Sequence, residues 1–139
     1  ELLTVIIVIG ILALLVLNTF NGVQAKARNT ERQTDIKALS SQLEAYYADK
    51  GGYPQWTQMD SSSKLTTLFK GLDPGAAKAP QGTDFDLQNS ASTDKKKYGY
   101  VANNGASACS TDNACTSFTL TYQTEGDGAA QVIVKSLNQ

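Results

Sequence analysis

Residues 2–17 read LLTVIIVIGILALLVL, and this run decides how the chain folds. Only Thr4 and Gly10 within it are not plainly apolar, and 24 residues without a charge separate Glu1 from Lys26. A helix rises about 1.5 Å per residue, so the uncharged stretch reaches about 36 Å and can cross a hydrocarbon core about 30 Å thick. The segment is therefore predicted to be a helix that is able to span a membrane.

The helical pattern continues without a break from Gly22 to Lys50, a stretch that contains no proline. Apolar residues recur there at the spacing of one helical face: Ile36, Leu39, Leu43, Tyr46 and Tyr47. Opposite charges three residues apart are expected to support the helix: Arg28 with Glu31, and Arg32 with Asp35. Gly51 and Gly52 then supply a helix stop.

The simplest interpretation is one helix over residues 1–50, about 75 Å long. A domain of 14.8 kDa cannot cover a helix of that length. The first half must therefore be buried by lipid or by other copies of the chain. Three interpretations compete: an uncleaved signal peptide, an ordinary membrane anchor, and an anchor that also forms the core of a polymer. A signal peptide would begin with positive charge, whereas the leading charge here is the negative Glu1.

The remainder of the chain has shorter signals. Ser61 or Ser62 is expected to cap a small helix with apolar residues at helical spacing, and residues 73–94 are predicted to form a long loop. Three strand candidates follow: KYGYVA, SFTLTYQ and AAQVIVKSL. The last two flank Glu125-Gly126-Asp127-Gly128, a hairpin turn signal.

The predicted fold is α+β, with a helix of about 50 residues whose apolar first half protrudes and whose second half packs on a small antiparallel sheet. Residues 1–23 form the hydrophobic transmembrane and polymerisation half. Residues 24–139 form a globular head. Its parts are the amphipathic helix half 24–50, a loop and short helix over 51–94, and the sheet over 95–139.

Composition argues against several functional classes. Twelve Lys and Arg against thirteen Asp and Glu are unlike the basic excess of a dedicated nucleic-acid binder. With no His and two Cys, the sequence offers no catalytic constellation and no four-cysteine zinc site. We therefore expect no enzyme, no cofactor and no metal centre.

The segment ELLTVIIVIGILALLVL resembles the N-terminus of the type IV pilin and pseudopilin superfamily, with its leading glutamate and internal Gly-Ile-Leu-Ala. The following stretch, DIKALSSQLEAYYADKGGYP, resembles the family's helix end and Gly-x-Tyr-Pro exit. In the family a few apolar residues, exposed and methylated by a prepilin peptidase, precede the glutamate. We expect such residues before Glu1 in the natural protein.

The resemblance implies the structural subunit of an extracellular type IV pilus, a helical homopolymer that supports adhesion or twitching motility. The implied partners are other copies of the chain, the membrane before assembly, the prepilin peptidase and the inner-membrane assembly machinery. Ionised Glu1 would pair with a positive group on a neighbour. The expected assembly residues are Glu1, Leu2, Leu3, Val5, Ile6, Val8, Ile9, Gly10, Leu12 and Ala13.

Two alternatives stay open. The first is a major pseudopilin of a type II secretion or competence pseudopilus. Such pseudopilins bind calcium in a C-terminal loop, where Asp112, Asn113 and Asp127 offer oxygen ligands. The second is a membrane-anchored surface adhesin that never polymerises.

Two features of the head complete the sequence-based hypotheses. Cys109 and Cys115 lack the spacing of a redox motif, and on a cell surface they are expected to form a disulfide around an exposed loop. Lys95, Lys96 and Lys97 form the basic cluster of the chain. They are either a solvated strand entry or a contact for host surfaces, anionic glycans or DNA.

Overall fold

The computed structural model describes residues 1–138, apart from the side chains at positions 17 and 18. Helix α1 spans Leu2–Lys50 without interruption, which is 49 residues or about 74 Å of helix. It ends because Gly51 adopts the left-handed conformation (φ 77°) and donates its N–H to the carbonyl of Tyr47 at 2.7 Å. The predicted long helix is confirmed.

The remaining elements form a small head on the second half of α1. Helix α2 is capped by the Ser61 hydroxyl, which accepts the N–H of Lys64 at 3.4 Å. In chain order the elements after α1 are a 3₁₀ turn at Trp56–Gln58, α2 at Ser62–Leu68, a 3₁₀ turn at Pro74–Ala77, β1 at Leu87–Gln88, β2 at Tyr98–Asn104, β3 at Ser107–Ala108, β4 at Ser117–Gln123 and β5 at Gln131–Lys135.

The sheet has the order β1-β2-β4-β5, with β3 paired to β2. The pairs β2–β4 and β4–β5 are antiparallel, as the sequence predicts. Strand β3, which was not predicted, is also antiparallel to β2. Strand β1 is the exception, because it runs parallel to β2 with Leu87 opposite Tyr98. It lies inside the stretch 73–94 that was predicted to be a loop. Two residues are too few to show an alternating pattern, which is why the sequence did not predict β1. The α+β fold is confirmed, and its sheet is mixed rather than purely antiparallel.

The core lies between the sheet and the predicted apolar face of α1. Ile36, Leu39 and Leu43 are at most 1% exposed, and Tyr98 and Tyr100 of β2 are fully buried beside them. Burying a large apolar side chain contributes about 1.5–3 kcal/mol, so this face holds the helix against the sheet. The second half of α1 is thus part of the head.

The stretch 73–94 is ordered by backbone contacts as well. The buried carboxylate of Asp86 accepts the N–H groups of Ala79 and Thr83, each at 3.1 Å. At Gly99 of β2 a Cβ would lie 2.2 Å from the carbonyl oxygen of Ser90, so glycine lets the stretch pass closely over the sheet.

Candidate assembly site

The first half of α1 is exposed on every side, since each described side chain from residue 1 to residue 24 lies in solvent. Among the described side chains, the first that is buried is Ala25, at 9% exposure. The large apolar side chains that the structure describes in this half are each more than half exposed: Leu2, Leu3, Val5, Ile6, Ile7, Val8, Ile9, Ile11, Leu12, Leu14, Leu15, Val16, Phe20 and Val23. The head therefore covers none of these side chains.

An apolar surface that runs all round a helix needs cover from all sides. Among the described residues, α1 is the one helix that is long and apolar enough to cross a membrane. A bilayer supplies cover on every side, and so does a bundle of equivalent helices, whereas a groove on one partner covers a single face. The exposed half of α1 is thus suited to lipid or to a multi-helix core.

The sequence-predicted assembly residues all lie within the first thirteen positions of this exposed half. Glu1 stands at the helix start, and its backbone carbonyl accepts the hydroxyl of Thr4 at 2.7 Å. A Cβ at Gly10 would meet nothing within 4 Å in the subunit. Their contacts in a polymer stay a prediction, because the isolated subunit places them in solvent.

A charged cluster joins the sheet to α1 directly above the exposed half. We call it the Glu125 cluster: Arg28, Asn29 and Arg32 of α1, with Glu125 from the turn between β4 and β5. Nε and Nη2 of Arg28 donate to the two carboxylate oxygens of Glu125 at 2.9 and 2.6 Å. Arg32 is fully buried and its Nη2 donates to Glu125 Oε1 at 2.5 Å.

The other donors of the cluster are satisfied as well. Nε and Nη2 of Arg32 both donate to the carbonyl of Lys95, at 3.0 and 2.8 Å. The Asn29 amide accepts the backbone N–H of Glu125 at 3.0 Å and donates to its carbonyl at 2.9 Å. The hydrogen bonds from Arg28 and then Arg32 lower the pKa of the Glu125 carboxyl to about 2. The carboxylate is therefore ionised at all ordinary pH values.

This cluster corrects the sequence-based pairing of charges. Arg28 and Arg32 were expected to pair with Glu31 and Asp35 along the helix, and both bind Glu125 instead. Glu125 lies 97 residues beyond Arg28. No local spacing rule finds such a pair. The signal that was present is two arginines one turn apart on the face that turns towards the sheet.

At the opposite end of the head, Cys109 and Cys115 form the expected disulfide. Residues 110–114 between them are exposed, while Cys115 is buried. The ring is attached to the end of α1, because the N–H of Tyr53 donates to the Cys115 carbonyl at 2.8 Å. The Tyr46 hydroxyl also donates to the Asn113 side chain.

The remaining sequence-based candidates are found apart from one another. The side chains of Lys95, Lys96 and Lys97 are exposed on the turn before β2. No ion pair to any of the three exists in the described part of the chain. Asp112 accepts a hydrogen bond from Gln55, and Asp127 is exposed in the β4–β5 turn. Within residues 1–138, no group of three or more Asp, Glu, His or Cys is placed to hold a metal ion.

Comparison with known proteins gives one informative relative. The type II secretion system core protein G of Dickeya chrysanthemi is 40% identical to this chain over 58 residues. The match covers 42% of this chain and 38% of that protein, so the chain spans less than two-fifths of its relative's length. No family model matches the chain, and no solved structure matches it.

Proposed function

We propose that this chain, a member of the type IV pilin and pseudopilin superfamily, is a structural subunit that polymerises through the first half of α1. The observation that carries the proposal is that every described side chain of residues 2–23 is exposed, on a helix whose second half is packed in the head. In the membrane, the backbone of this half is satisfied within the helix and its side chains lie in lipid. In the polymer, the same side chains pack against equivalent helices.

Head-to-tail contacts between identical subunits give a filament when the rotation between them does not close a ring. A surface that is apolar on all sides of a rod favours this arrangement over an isologous dimer, which would leave part of the rod in water. Ionised Glu1 is costly to bury unpaired. Its pairing with a positive group on a neighbour would fix the axial register of the filament.

The finer proposal is an extracellular type IV pilus that serves surface adhesion or twitching motility. It is tested by shearing cells that make the full chain and imaging the released material by negative stain. Long fibres that contain this chain support the pilus. A full chain that is found only in the membrane fraction, under conditions of high expression, contradicts it.

A second candidate is the major pseudopilin of a secretion pseudopilus, which the similarity to protein G favours. A pseudopilin would act as a short periplasmic fibre, and removal of its gene would stop export of secreted proteins. Its head should also be stabilised by calcium. A thermal melt of the full chain in detergent, with calcium or with a chelator, tests that dependence. Equal midpoints, together with normal export in the deletion strain, favour the pilus.

The third candidate, a membrane-anchored adhesin that never polymerises, is tested by mixing tagged and untagged full-length chains in one cell. Capture of the untagged chain through the tag, with residues 2–23 intact, indicates self-association. A charged substitution such as Ile9→Lys should abolish that capture in a filament subunit. An adhesin that acts as a monomer would show no capture in either case.

A further inference from the structure

The contact between α1 and the sheet has two parts of different chemistry. The part nearer Lys50, which we call the upper part, is apolar, because Ile36, Leu39 and Leu43 are buried in the core. The part nearer the exposed half, which we call the lower part, spans positions 25–32 of α1. Its buried residues are Ala25 and Arg32. The lower part is therefore held by the Glu125 cluster rather than by apolar packing.

The turn that carries Glu125 forms the rim of the head nearest the exposed half of α1. Residues 124–130 connect β4 to β5, and a Cβ on Gly126 would lie 3.7 Å from the Cβ of Ala25. Gly126 and Gly128 have φ values of 90° and 77°, in the region that glycine enters freely. Hydrogen bonds of 2.8–3.0 Å between Thr124 and Ala130 close the turn on itself, so its attachment to α1 depends on contacts that lie outside these bonds.

The Glu125 cluster supplies the hydrogen bonds that attach this turn to α1. The side chain of Glu125 binds Arg28 and Arg32, and its backbone binds Asn29, so one residue of the turn is fixed to three residues of α1. The Glu125 side chain is 9% exposed and the Arg32 side chain 0%. The bond to Arg32 is therefore shielded from water, whereas the bonds to Arg28, whose side chain is 23% exposed, lie at the edge of the contact. Together these bonds hold the rim in one place.

We infer that Glu125 is a positioning residue for assembly: it holds the rim of the head against α1 so that neighbouring helices can pack around residues 2–23. Packed helices lie about 8–10 Å apart, so the neighbours of a polymerised α1 pass immediately beneath this rim. A rim that swings away from α1 would occupy their space. The inference rests on the proposed function, and it places Glu125 outside the contact surface between copies.

The test compares variants of the full-length chain in cells and in detergent micelles. Glu125→Gln removes both ion pairs, and Arg28→Gln removes one of them while it leaves the buried Arg32 paired. Asp127→Asn makes the same change of charge in the same turn, without a residue of the cluster, and serves as the matched control. Spin labels at Thr30 and Ala129, both exposed, report the distance between helix and rim.

We expect Glu125→Gln and Arg28→Gln to broaden the distribution of distances between the two labels. The same variants should lower the yield of sheared fibres about tenfold, because the contact between neighbouring subunits is weakened. Asp127→Asn should change neither measurement. Arg28→Lys, which keeps the charge, should restore part of the fibre yield. In the double variant Arg28→Gln/Glu125→Gln, the fibre yield should be no lower than in Glu125→Gln alone.

Three outcomes overturn the inference: a narrow distance distribution in both variants, a broad distribution with a normal fibre yield, or an equal loss of fibres in Asp127→Asn. If Glu125→Gln does not fold, the milder Arg28→Gln decides, with circular dichroism of the micellar chain as the check on folding. Failure of the unmodified chain to form any fibre contradicts the proposed function instead, and the distance measurement then still reports whether the cluster holds the rim.

Discussion

The hydroxyl of Tyr98 on β2 donates a hydrogen bond of 2.6 Å to the carboxylate of Asp35 on α1. Tyr98 is fully buried, and burial raises the pKa of the Asp35 carboxyl from 3.8 to about 6, against the opposing effect of the Tyr98 hydrogen bond. The nearby carboxylates of Glu31 and Asp73 raise the pKa further. One carboxyl group at the boundary between helix and sheet thus changes its charge just below neutral pH.

The stability of the head should fall as pH rises through this range. Because the pKa of Asp35 is higher in the folded chain, its proton stabilises the fold, fully below about pH 4 and no longer above about pH 6. Asp35→Asn should remove that dependence and raise the unfolding free energy at pH 7 by about 1–2 kcal/mol, after a discount for solvent screening. Urea unfolding of the micellar chain from pH 4 to pH 7 measures this. A slope that persists in Asp35→Asn would show that another group is responsible.

The Glu125 carboxyl should act in the opposite sense at lower pH. Its pKa is lowered from 4.5 to about 2, so its contribution to stability is present above about pH 4.5 and is lost as pH falls towards 2. We expect the Glu125→Gln variant to have a lower unfolding free energy than the unmodified chain at pH 4.5 and above. Its unfolding free energy should then fall less steeply between pH 4 and pH 2. Asp127→Asn is the control, and an unchanged acid limb in Glu125→Gln contradicts the prediction.

Substitution of Gly52 should destabilise the head strongly. A Cβ at this position would lie 2.0 Å from the backbone carbonyl oxygen of Asn113 in the disulfide ring, and backbone atoms cannot yield as a side chain does. We expect Gly52→Ala to lower the unfolding free energy by about 2–4 kcal/mol. Gly22→Ala, where a Cβ meets nothing within 4 Å, should be neutral or slightly stabilising. Thermal melts of both variants in the same detergent make the comparison.

The disulfide should stabilise the head without acting in assembly. Closing a loop of sequence separation 6 contributes about 2 kcal/mol. The double variant Cys109→Ser/Cys115→Ser should therefore have an unfolding free energy lower by about that amount, and a lower melting temperature. Fibre yield at low growth temperature should stay unchanged, because the ring lies at the end of the head away from residues 2–23. Loss of fibres from a variant whose head is folded would place the ring in a contact between copies.

Neutralisation of Glu1 should impair assembly and spare membrane insertion. Glu1→Gln removes the charge that would pair with a positive group on a neighbour, and we expect about a tenfold lower fibre yield. Glu31→Gln, an exposed acid further along the same helix, is the control. Carbonate extraction of membranes measures insertion separately, and normal fibres from Glu1→Gln would leave the residue as a favourable acid at a helix start.

Much of this molecule followed from sequence because the determining signals are local. The uncharged run over residues 2–17 and the apolar face at Ile36, Leu39 and Leu43 predict one continuous helix, since each depends only on spacing within a few turns. The three longer strands of the sheet were likewise found from alternation. The protruding helix half followed from length alone, because a head of this size has too little surface to cover it.

Only the tertiary structure decided which partner each buried polar group takes. Arg28 and Arg32 leave their helical neighbours for Glu125, and Asp35 binds Tyr98 63 residues away, because chain folding brings those groups together out of water. Strand β1 forms for the same reason, as its two residues gain their bonds from β2 and not from any pattern of their own. Local composition determined the long helix and the requirement that its apolar first half be buried by lipid or by other copies of the chain. Long-range hydrogen bonding determined how the head is fastened to it.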